Sequence, residues 1–139
     1  MENERELNSR QQELLYKFSM FEQQIQALQQ QLKVVEESSI DLNSLNFGLD
    51  ELKGKTDEEI LAPLGRGIFV KAKLASEDLL VDVGGKNFVK KNIEDTKKII
   101  GEQIGKLEKI KEDLDKKLTG IDKELMQTIE EAQNAEEED

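Results

Sequence analysis

The sequence contains no cysteine, histidine or tryptophan, and it has a single proline. Without cysteine there is no disulfide framework and no thiol nucleophile. Without histidine the usual imidazole base and the ordinary zinc ligand sets are missing. We therefore predict no catalytic residue, no metal site and no cofactor. An enzyme that works through carboxylates alone is the remote alternative.

Basic residues are scarce relative to acidic ones, with 20 Lys and Arg against 31 Asp and Glu and a net charge of −11. A phosphate-rich partner needs a basic face, so nucleic acid is disfavoured, and anionic membrane surfaces are disfavoured for the same reason. No apolar run approaches eighteen residues and no signal peptide is evident. The expectation is a soluble cytoplasmic protein that binds neither nucleic acid nor membrane.

A phosphate-binding loop is also missing. Gly54-Lys55-Thr56 resembles the end of such a loop, but Leu49 occupies the position that requires its first glycine. The segment also follows a predicted helix rather than a strand, whereas the motif needs a strand before it. This supports the prediction that the chain binds no nucleotide cofactor.

Apolar residues at seven-residue steps are the strongest positive signal. The first third contains Leu7, Leu14, Phe21, Leu28, Val35 and Leu42, with Phe18, Ile25 and Leu32 at alternate positions. The last third contains Ile93, Ile100, Leu107, Leu114 and Ile121, with Ile104, Leu118 and Leu125 at alternate positions. Alternating gaps of three and four residues predict a left-handed coiled coil. We expect helices over about 4–46 and 92–132, paired antiparallel.

The two predicted helix boundaries next to the central segment carry recognisable signals. Asn46-Phe47-Gly48 is a plausible stop for the first helix, because glycine accepts the left-handed conformation beyond a helix end. Asn92 is a good N-cap for the second helix, with Glu94 and Asp95 in its first turn. Gly101, Gly105 and Gly120 interrupt the second helix, which indicates either close approach of a neighbouring helix or local flexibility.

The segment between the helices alternates in the manner of β-strands. We predict four short strands near 60–64, 67–75, 79–83 and 86–90, which form two hairpins. Gly84-Gly85 is a signal for a two-residue hairpin turn. Isolated hairpins are marginal in water, and a narrow coiled-coil seam cannot cover the apolar strand residues. We infer that the strands join those of other subunits in an oligomeric β-barrel, through Ile60, Leu61, Leu64, Ile68, Val70, Leu79, Val81 and Val83.

Apolar residues also lie near the two chain ends, where an antiparallel hairpin of helices would have its tip. Leu15, Tyr16, Met20, Met126 and Ile129 fall outside the regular seam. Two interpretations remain open: these side chains widen the seam, or they form an adaptable surface that binds non-native chains. The predicted client-binding residues are Leu7, Leu14, Leu15, Tyr16, Met20, Leu125, Met126 and Ile129.

Two segments carry a resemblance to a known family. The stretch EILAPLGRGIFV at 59–70 and the stretch VDVGGKNFV at 81–89, set between two coiled-coil helices, resemble prefoldin. Two hairpins resemble the alpha type, because beta-type subunits have one. The resemblance covers nearly the whole chain, and the Pro-Leu-Gly strand and the Val-Asp-Val-Gly-Gly turn are its most specific parts.

The resemblance implies a hexamer of two alpha and four beta subunits, with a double β-barrel and six coiled-coil tentacles. It also implies an ATP-independent chaperone that captures unfolded polypeptides at the tentacle tips and transfers them to a group II chaperonin. The implied partners are therefore prefoldin beta-type subunits, unfolded polypeptides and that chaperonin. The alternative function is a structural coiled-coil adaptor that binds one specific folded partner.

The predicted fold class is α+β and mostly α: a long antiparallel coiled-coil hairpin with two central β-hairpins that assemble into an oligomeric β-barrel. We divide the chain into an N-terminal coiled-coil helix at 1–47, a β-hairpin oligomerisation region at 48–91 and a C-terminal coiled-coil helix with an acidic tail at 92–139. Residues 120–139 contain eight acids and one lysine.

Overall fold

A computed structural model describes residues 2–137 of the chain, and residues 138 and 139 of the predicted acidic tail lie outside this range. The elements in order are α1 (Glu2–Leu52), β1 (Glu59–Gly65), β2 (Ile68–Lys73), β3 (Leu79–Asp82), β4 (Phe88–Lys91) and α2 (Ile93–Glu137). Two long helices with two antiparallel hairpins between them confirm the predicted fold class. The barrel is a property of an assembly and is not visible in one chain.

The chain forms two compact units. The first combines α1 up to Glu37 with α2 from Glu108 onward. The second spans Ser38–Leu107 and contains all four strands. The division of the chain into three sequence segments stays a prediction.

Helix α1 continues past Gly48, so the predicted stop at Asn46–Gly48 is wrong. A glycine inside a helix costs about 1 kcal/mol relative to alanine. Leu49 continues the seven-residue step that includes Leu42, and it is buried against the second helix together with Leu52. Packing of these leucines outweighs the local penalty at Gly48, which explains why the helix reaches Leu52.

Helix α2 begins where the cap residue predicts. The side-chain Oδ1 of Asn92 accepts a hydrogen bond from the backbone N–H of Asp95 at 2.7 Å. Thr96 adds two bonds to the carbonyl of Asn92, from its backbone N–H and from its hydroxyl. These contacts satisfy donors that a helix start leaves free, so the N-cap prediction is confirmed. The helix then runs without a break through Gly101, Gly105 and Gly120 to Glu137, and a methyl group added at any of the three would meet no atom within 4 Å.

The first hairpin pairs β1 with β2 antiparallel, from Glu59 opposite Lys73 to Gly65 opposite Ile68, with an irregularity between Pro63 and Gly65. Its turn is Arg66-Gly67, and both residues have positive φ, 51° and 77°. A two-residue turn with positive φ at both positions matches the right-handed twist of the strands. The predicted hairpin is therefore confirmed, with β1 one residue longer at each end and β2 shorter than predicted.

The second hairpin pairs β3 with β4, from Leu79 opposite Lys91 to Asp82 opposite Phe88. The predicted two-residue turn at Gly84-Gly85 is wrong, because the loop spans residues 83–87. Three successive residues, Gly84, Gly85 and Lys86, have positive φ. The loop is closed by the N–H of Val83 donating to the carbonyl of Asn87 at 2.9 Å, and by the Asp82 carboxylate accepting from the N–H of Gly84. The two hairpins form separate two-stranded sheets among the described residues.

The core of the second unit lies where the helices meet the strands. Leu49, Ile93 and Ile100 are buried together. The half-buried residues packed against them are Leu42, Leu52, Leu79 and Ile104. Leu79 brings β3 onto the helical seam, so this cluster fixes the second hairpin to the base of the helices.

A chain of ion pairs surrounds that core. Lys53 Nζ lies 2.6 Å from Oε1 of Glu94, and Lys97 Nζ lies 2.5 Å from Oδ1 of Asp50. The hydrogen bond from Lys97 lowers the pKa of Asp50, and the bond from Lys53 lowers the pKa of Glu94. The bond to Glu94 raises the pKa of Lys53. These pKa shifts favour the charged forms of Asp50, Lys53 and Glu94, and the ion pairs link the end of α1 to the start of α2.

In the first unit the helices pack through the predicted seam. Val35 and Leu114 are buried, and Leu28 and Ile121 are half-buried. Lys111 takes one alternate seam position and lies 3.9 Å from a carboxylate oxygen of Glu36. The heptad prediction is therefore confirmed, with charged residues at some alternate positions.

Candidate functional site

The apolar residues at the helix ends lie on the surface of the first unit. Leu15, Tyr16 and Met126 are the most exposed, at 69%, 68% and 66%. Leu7, Met20 and Ile129 are also exposed. We call these six side chains the terminal apolar surface. Their exposure leaves them accessible to a partner, and a role in client binding stays a prediction.

The other two predicted client-binding residues sit differently. Leu14 and Leu125 are half-buried at regular seam positions. They support the helix pair and leave only part of their surface free. Tyr16 and Met20 are four residues apart in a helix, so they share one face, and Met126 and Ile129 are related by three residues. Apart from Leu7, which occupies a heptad position, the terminal apolar surface thus consists of short patches on each helix beside the seam.

A shallow groove of about 390 Å³ in the first unit is lined by residues of both helices. Its floor contains Leu28 and Ile121, and it is open because Ala27 and Gly120 have little or no side chain. Gln24, Lys117 and Glu124 complete its lining. This groove was not predicted from the sequence, although Gly120 in the middle of α2 was a signal for it.

A second concavity of about 480 Å³ lies along α1, lined by Ser9, Gln12, Glu13, Tyr16 and Lys17. A third, of about 340 Å³, is lined mainly by apolar residues and includes the exposed side chains of Val34 and Ile110. Val34 and Ile110 were not predicted as site residues, because the prediction considered only apolar residues near the two chain ends. The exposed apolar area of the first unit is therefore not restricted to the chain ends.

The predicted interface residues are mostly exposed in the second unit. Leu61, Leu64, Ile68, Val70 and Val83 are exposed, whereas Ile60 and Val81 are half-buried. Leu79 contacts the internal core, so much of its surface is already used within the chain. The other seven remain candidates for contact between subunits.

Sequence reasoning missed four further exposed apolar strand residues: Phe69, Leu80, Phe88 and Val89. Leu80 and Phe88 lie on the opposite face of the second hairpin from Val81, because successive strand residues alternate between faces. Both faces of each hairpin are thus apolar in part. The signal was present as continuous apolar runs at 68–70 and 79–81, which are typical of strands buried on both faces.

Chemistry at this surface is limited by its residue types. Among residues 2–137, no cluster of three or more carboxylates is arranged to hold a metal ion. In the same range, no helix has the length and apolar character needed to cross a membrane. What the surface offers is exposed apolar area, which favours association with other polypeptides.

The sequence matches the family model described as "Prefoldin subunit" over residues 21–138. The chain belongs to the prefoldin family. It is 32% identical to prefoldin subunit alpha of Methanobrevibacter smithii, with 87% of this chain and 79% of the relative covered. It is also 32% identical to prefoldin subunit alpha 1 of Methanocaldococcus jannaschii, with 84% and 85% covered. These relatives confirm the resemblance to the alpha type.

The fold agrees with a solved prefoldin. A cryo-EM structure of filamentous PFD from Methanocaldococcus jannaschii superposes with a TM-score of 0.72, covering 84% of this chain and 98% of the other. At 20% sequence identity this match shows the fold alone. The family match and the alpha-type relatives indicate the prefoldin chaperone function, and the prefoldin family is a family of non-enzymatic chaperones.

Proposed function

We propose that this chain is a subunit of an ATP-independent chaperone that captures unfolded polypeptides at its helix ends. The exposure of Leu15, Tyr16 and Met126 is the observation that supports this most directly. Exposed apolar area costs roughly 25 cal/mol per Å², so these side chains gain free energy when a non-native chain covers them. Methionine adapts to varied partners because its side chain is flexible and polarisable.

The strands carry the assembly part of the proposal. Each hairpin is a two-stranded sheet, which is too small to be stable in isolation. The two sheets expose the apolar side chains of Leu61, Leu64, Ile68, Phe69 and Leu80. Strands from other subunits would cover these faces and complete the hydrogen bonding of the sheet edges. We propose a hexamer of two alpha-type chains such as this one and four beta-type chains, joined through a β-barrel.

Assembly would determine how tightly a client is held. Each helix end binds weakly, since only a few apolar side chains are available on it. When several ends engage one client, the client stays bound for longer although each end makes the same contacts, because later binding events become intramolecular. In this proposal the clients pass to a group II chaperonin in the cytoplasm, no ATP is consumed and the chain catalyses no reaction.

Substitution at the helix ends tests the proposal. The triple variant Leu15→Ser, Tyr16→Ser, Met126→Ser removes the most exposed apolar side chains, and we expect it to lose most suppression of thermal aggregation of an unfolded client. The matched control is Val34→Ser, Ile40→Ser, Ile110→Ser, which removes comparably exposed apolar residues elsewhere. Equal protection by the two variants would overturn capture at the ends. Protection of one folded partner only would favour the adaptor instead.

A further inference from the structure

In the sequence, the negative charge of the chain is concentrated in its two terminal segments. Residues 1–22 and 120–139 contain thirteen acidic and four basic residues, and so carry nine of the eleven net negative charges. The remaining 97 positions are nearly neutral. Eight of these acidic residues have described side chains, and they lie on the same helix segments as the terminal apolar surface.

The described carboxylates of this region face solvent. The exposed side chains are Glu4, Glu6, Glu13, Glu22, Asp122, Glu124, Glu130 and Glu131. Among side chains 3–135, none of them lies within 4 Å of a Lys or Arg nitrogen. We call these eight residues the acidic rim. Their charge is available to a ligand because no neighbouring cation of the described chain neutralises it by direct contact.

Each helix contributes four carboxylates to the acidic rim, but α2 has fewer cations among them and therefore the larger net negative charge. Around Met126 and Ile129 the rim has Asp122, Glu124, Glu130 and Glu131, with Lys123 as the one cation between residues 122 and 135. On α1, Glu6 and Glu13 share their concavities with Arg10 and Lys17. The patch at the end of α2 is thus apolar at its centre and anionic at its border.

We infer that the helix ends select unfolded segments in which apolar side chains are flanked by lysine or arginine. The inference rests on the proposed capture function and specifies its substrate class. Apolar contact supplies the attraction at the centre, while the rim attracts cationic flanks and repels acidic ones. Charges at an interface border act mainly on selectivity and on the rate of encounter, and they are screened by salt. The competing explanation is that the acids only keep the protein soluble and prevent contact between ends.

The test uses the full-length chain in its assembled state and three labelled peptides of one length with identical apolar residues. The peptides differ in four flanking positions, which are all Lys, all Glu or all Ser. Fluorescence anisotropy measures each Kd at about 50 mM and about 500 mM salt, which shortens the screening length several-fold. We expect the Lys peptide to bind about tenfold more tightly than the Glu peptide at low salt, and about equally at high salt.

Replacing glutamates with glutamines distinguishes the effect of the rim charges from the effect of the overall charge of the chain. The variant Glu124→Gln, Glu130→Gln, Glu131→Gln changes the rim, and the control Glu102→Gln, Glu108→Gln, Glu112→Gln removes three exposed charges elsewhere on α2. The rim variant should lower the Lys-to-Glu preference to about threefold or less, and the control should keep it near tenfold. Equal affinity for the Lys and Glu peptides, or an equal effect of both variants, overturns the inference.

The Ser peptide distinguishes this failure from failure of the proposed function. If Leu15→Ser, Tyr16→Ser, Met126→Ser weakens its binding while the charged peptides bind equally, the ends capture clients without charge selection. If that variant leaves binding of the Ser peptide unchanged, the ends are not the capture surface and both proposals fail.

Discussion

Lys97 Nζ lies 2.5 Å from Oδ1 of Asp50, which joins the start of the second helix to the end of the first across the intervening strands. Lys97 occupies an alternate seam position, one heptad before Ile104, and its side chain is largely covered. The same Asp50 lies 3.4 Å from Lys53, which in turn contacts Glu94. A charged residue inside an apolar repeat thus has a defined partner on the facing helix.

The first prediction concerns acid stability. In the folded chain the pKa of Asp50 is lowered from an ordinary value near 3.8, and that of Glu94 from near 4.5. A lowered pKa stabilises the fold above the unfolded value, and that contribution disappears as pH falls through the folded value. Tm should therefore be flat near neutrality and fall below about pH 4.5.

The variant Lys97→Gln checks the cause of this acid transition. Its Tm should lie below that of the parent chain at pH 7, and the difference should shrink as the pH falls and Asp50 becomes protonated, because the ion pair with Lys97 is then lost in the parent chain as well. The control Lys98→Gln changes an exposed neighbour outside the ion pairs of the described chain and should leave the profile unchanged. A difference in Tm that persists unchanged to pH 3 would show that Lys97 acts through packing rather than through its charge.

The second prediction concerns Asn46, whose side-chain Oδ1 is buried without a hydrogen bond among the described residues. A buried polar atom without a partner costs about 1–3 kcal/mol. Asn46→Leu should therefore raise the free energy of unfolding by roughly that amount, measured by chemical denaturation. The control Asn43→Leu replaces an exposed amide that donates to the carbonyl of Ser39 at 2.9 Å, and it should bring no gain. A destabilised Asn46→Leu variant would contradict this reading of the site.

The third prediction compares two glycines. Gly101 lies within α2, where an added methyl group meets nothing within 4 Å, so Gly101→Ala should stabilise the fold by about 1 kcal/mol. Gly85 has φ of 59° in the loop between β3 and β4, and alanine there is strained by about 1–2 kcal/mol. Gly85→Ala should therefore lower Tm while Gly101→Ala raises it. Loss of stability at Gly101 would mean that another subunit fills the open space.

The fourth prediction concerns the exposed strand residues. The double variant Leu64→Asp, Val83→Asp places charges on both hairpins, and we expect the assembly to dissociate because charge burial without a partner is strongly unfavourable. Sedimentation velocity measures the shift in mass, and circular dichroism should show that the helices persist. The control Ile40→Asp introduces a charge at an equally exposed apolar position on α1 of the same unit. Dissociation by the control alone would place the contact on the helix.

Much of this fold was readable from local patterns. The heptads predicted the buried positions Val35, Ile100 and Leu114 because a coiled-coil seam depends on sequence spacing alone. Asn92 predicted the start of α2 because an N-cap is a contact over three residues. Turn residues predicted two hairpins for the same reason. In each case the interactions that determine the structure join residues that are close in sequence.

Two of the errors came from tertiary effects, and one came from local turn geometry. Gly48 is a good helix stop by local criteria, but burial of Leu49 carries α1 onward to Leu52. The loop at 83–87 is longer than its Gly-Gly pair indicates, because Lys86 also adopts positive φ and Asp82 caps the loop with its carboxylate. The groove beside Gly120 depends on what faces it from α1, which a single helix pattern does not give.

The account depends most on the claim that the apolar hairpins are completed by other subunits. Native mass measurement of the chain at micromolar concentration, alone and after mixing with a prefoldin beta-type subunit, tests it directly. We predict that the mixed sample contains a hexamer with two copies of this chain. A folded, soluble monomer of 15.9 kDa that persists in both samples would contradict the claim.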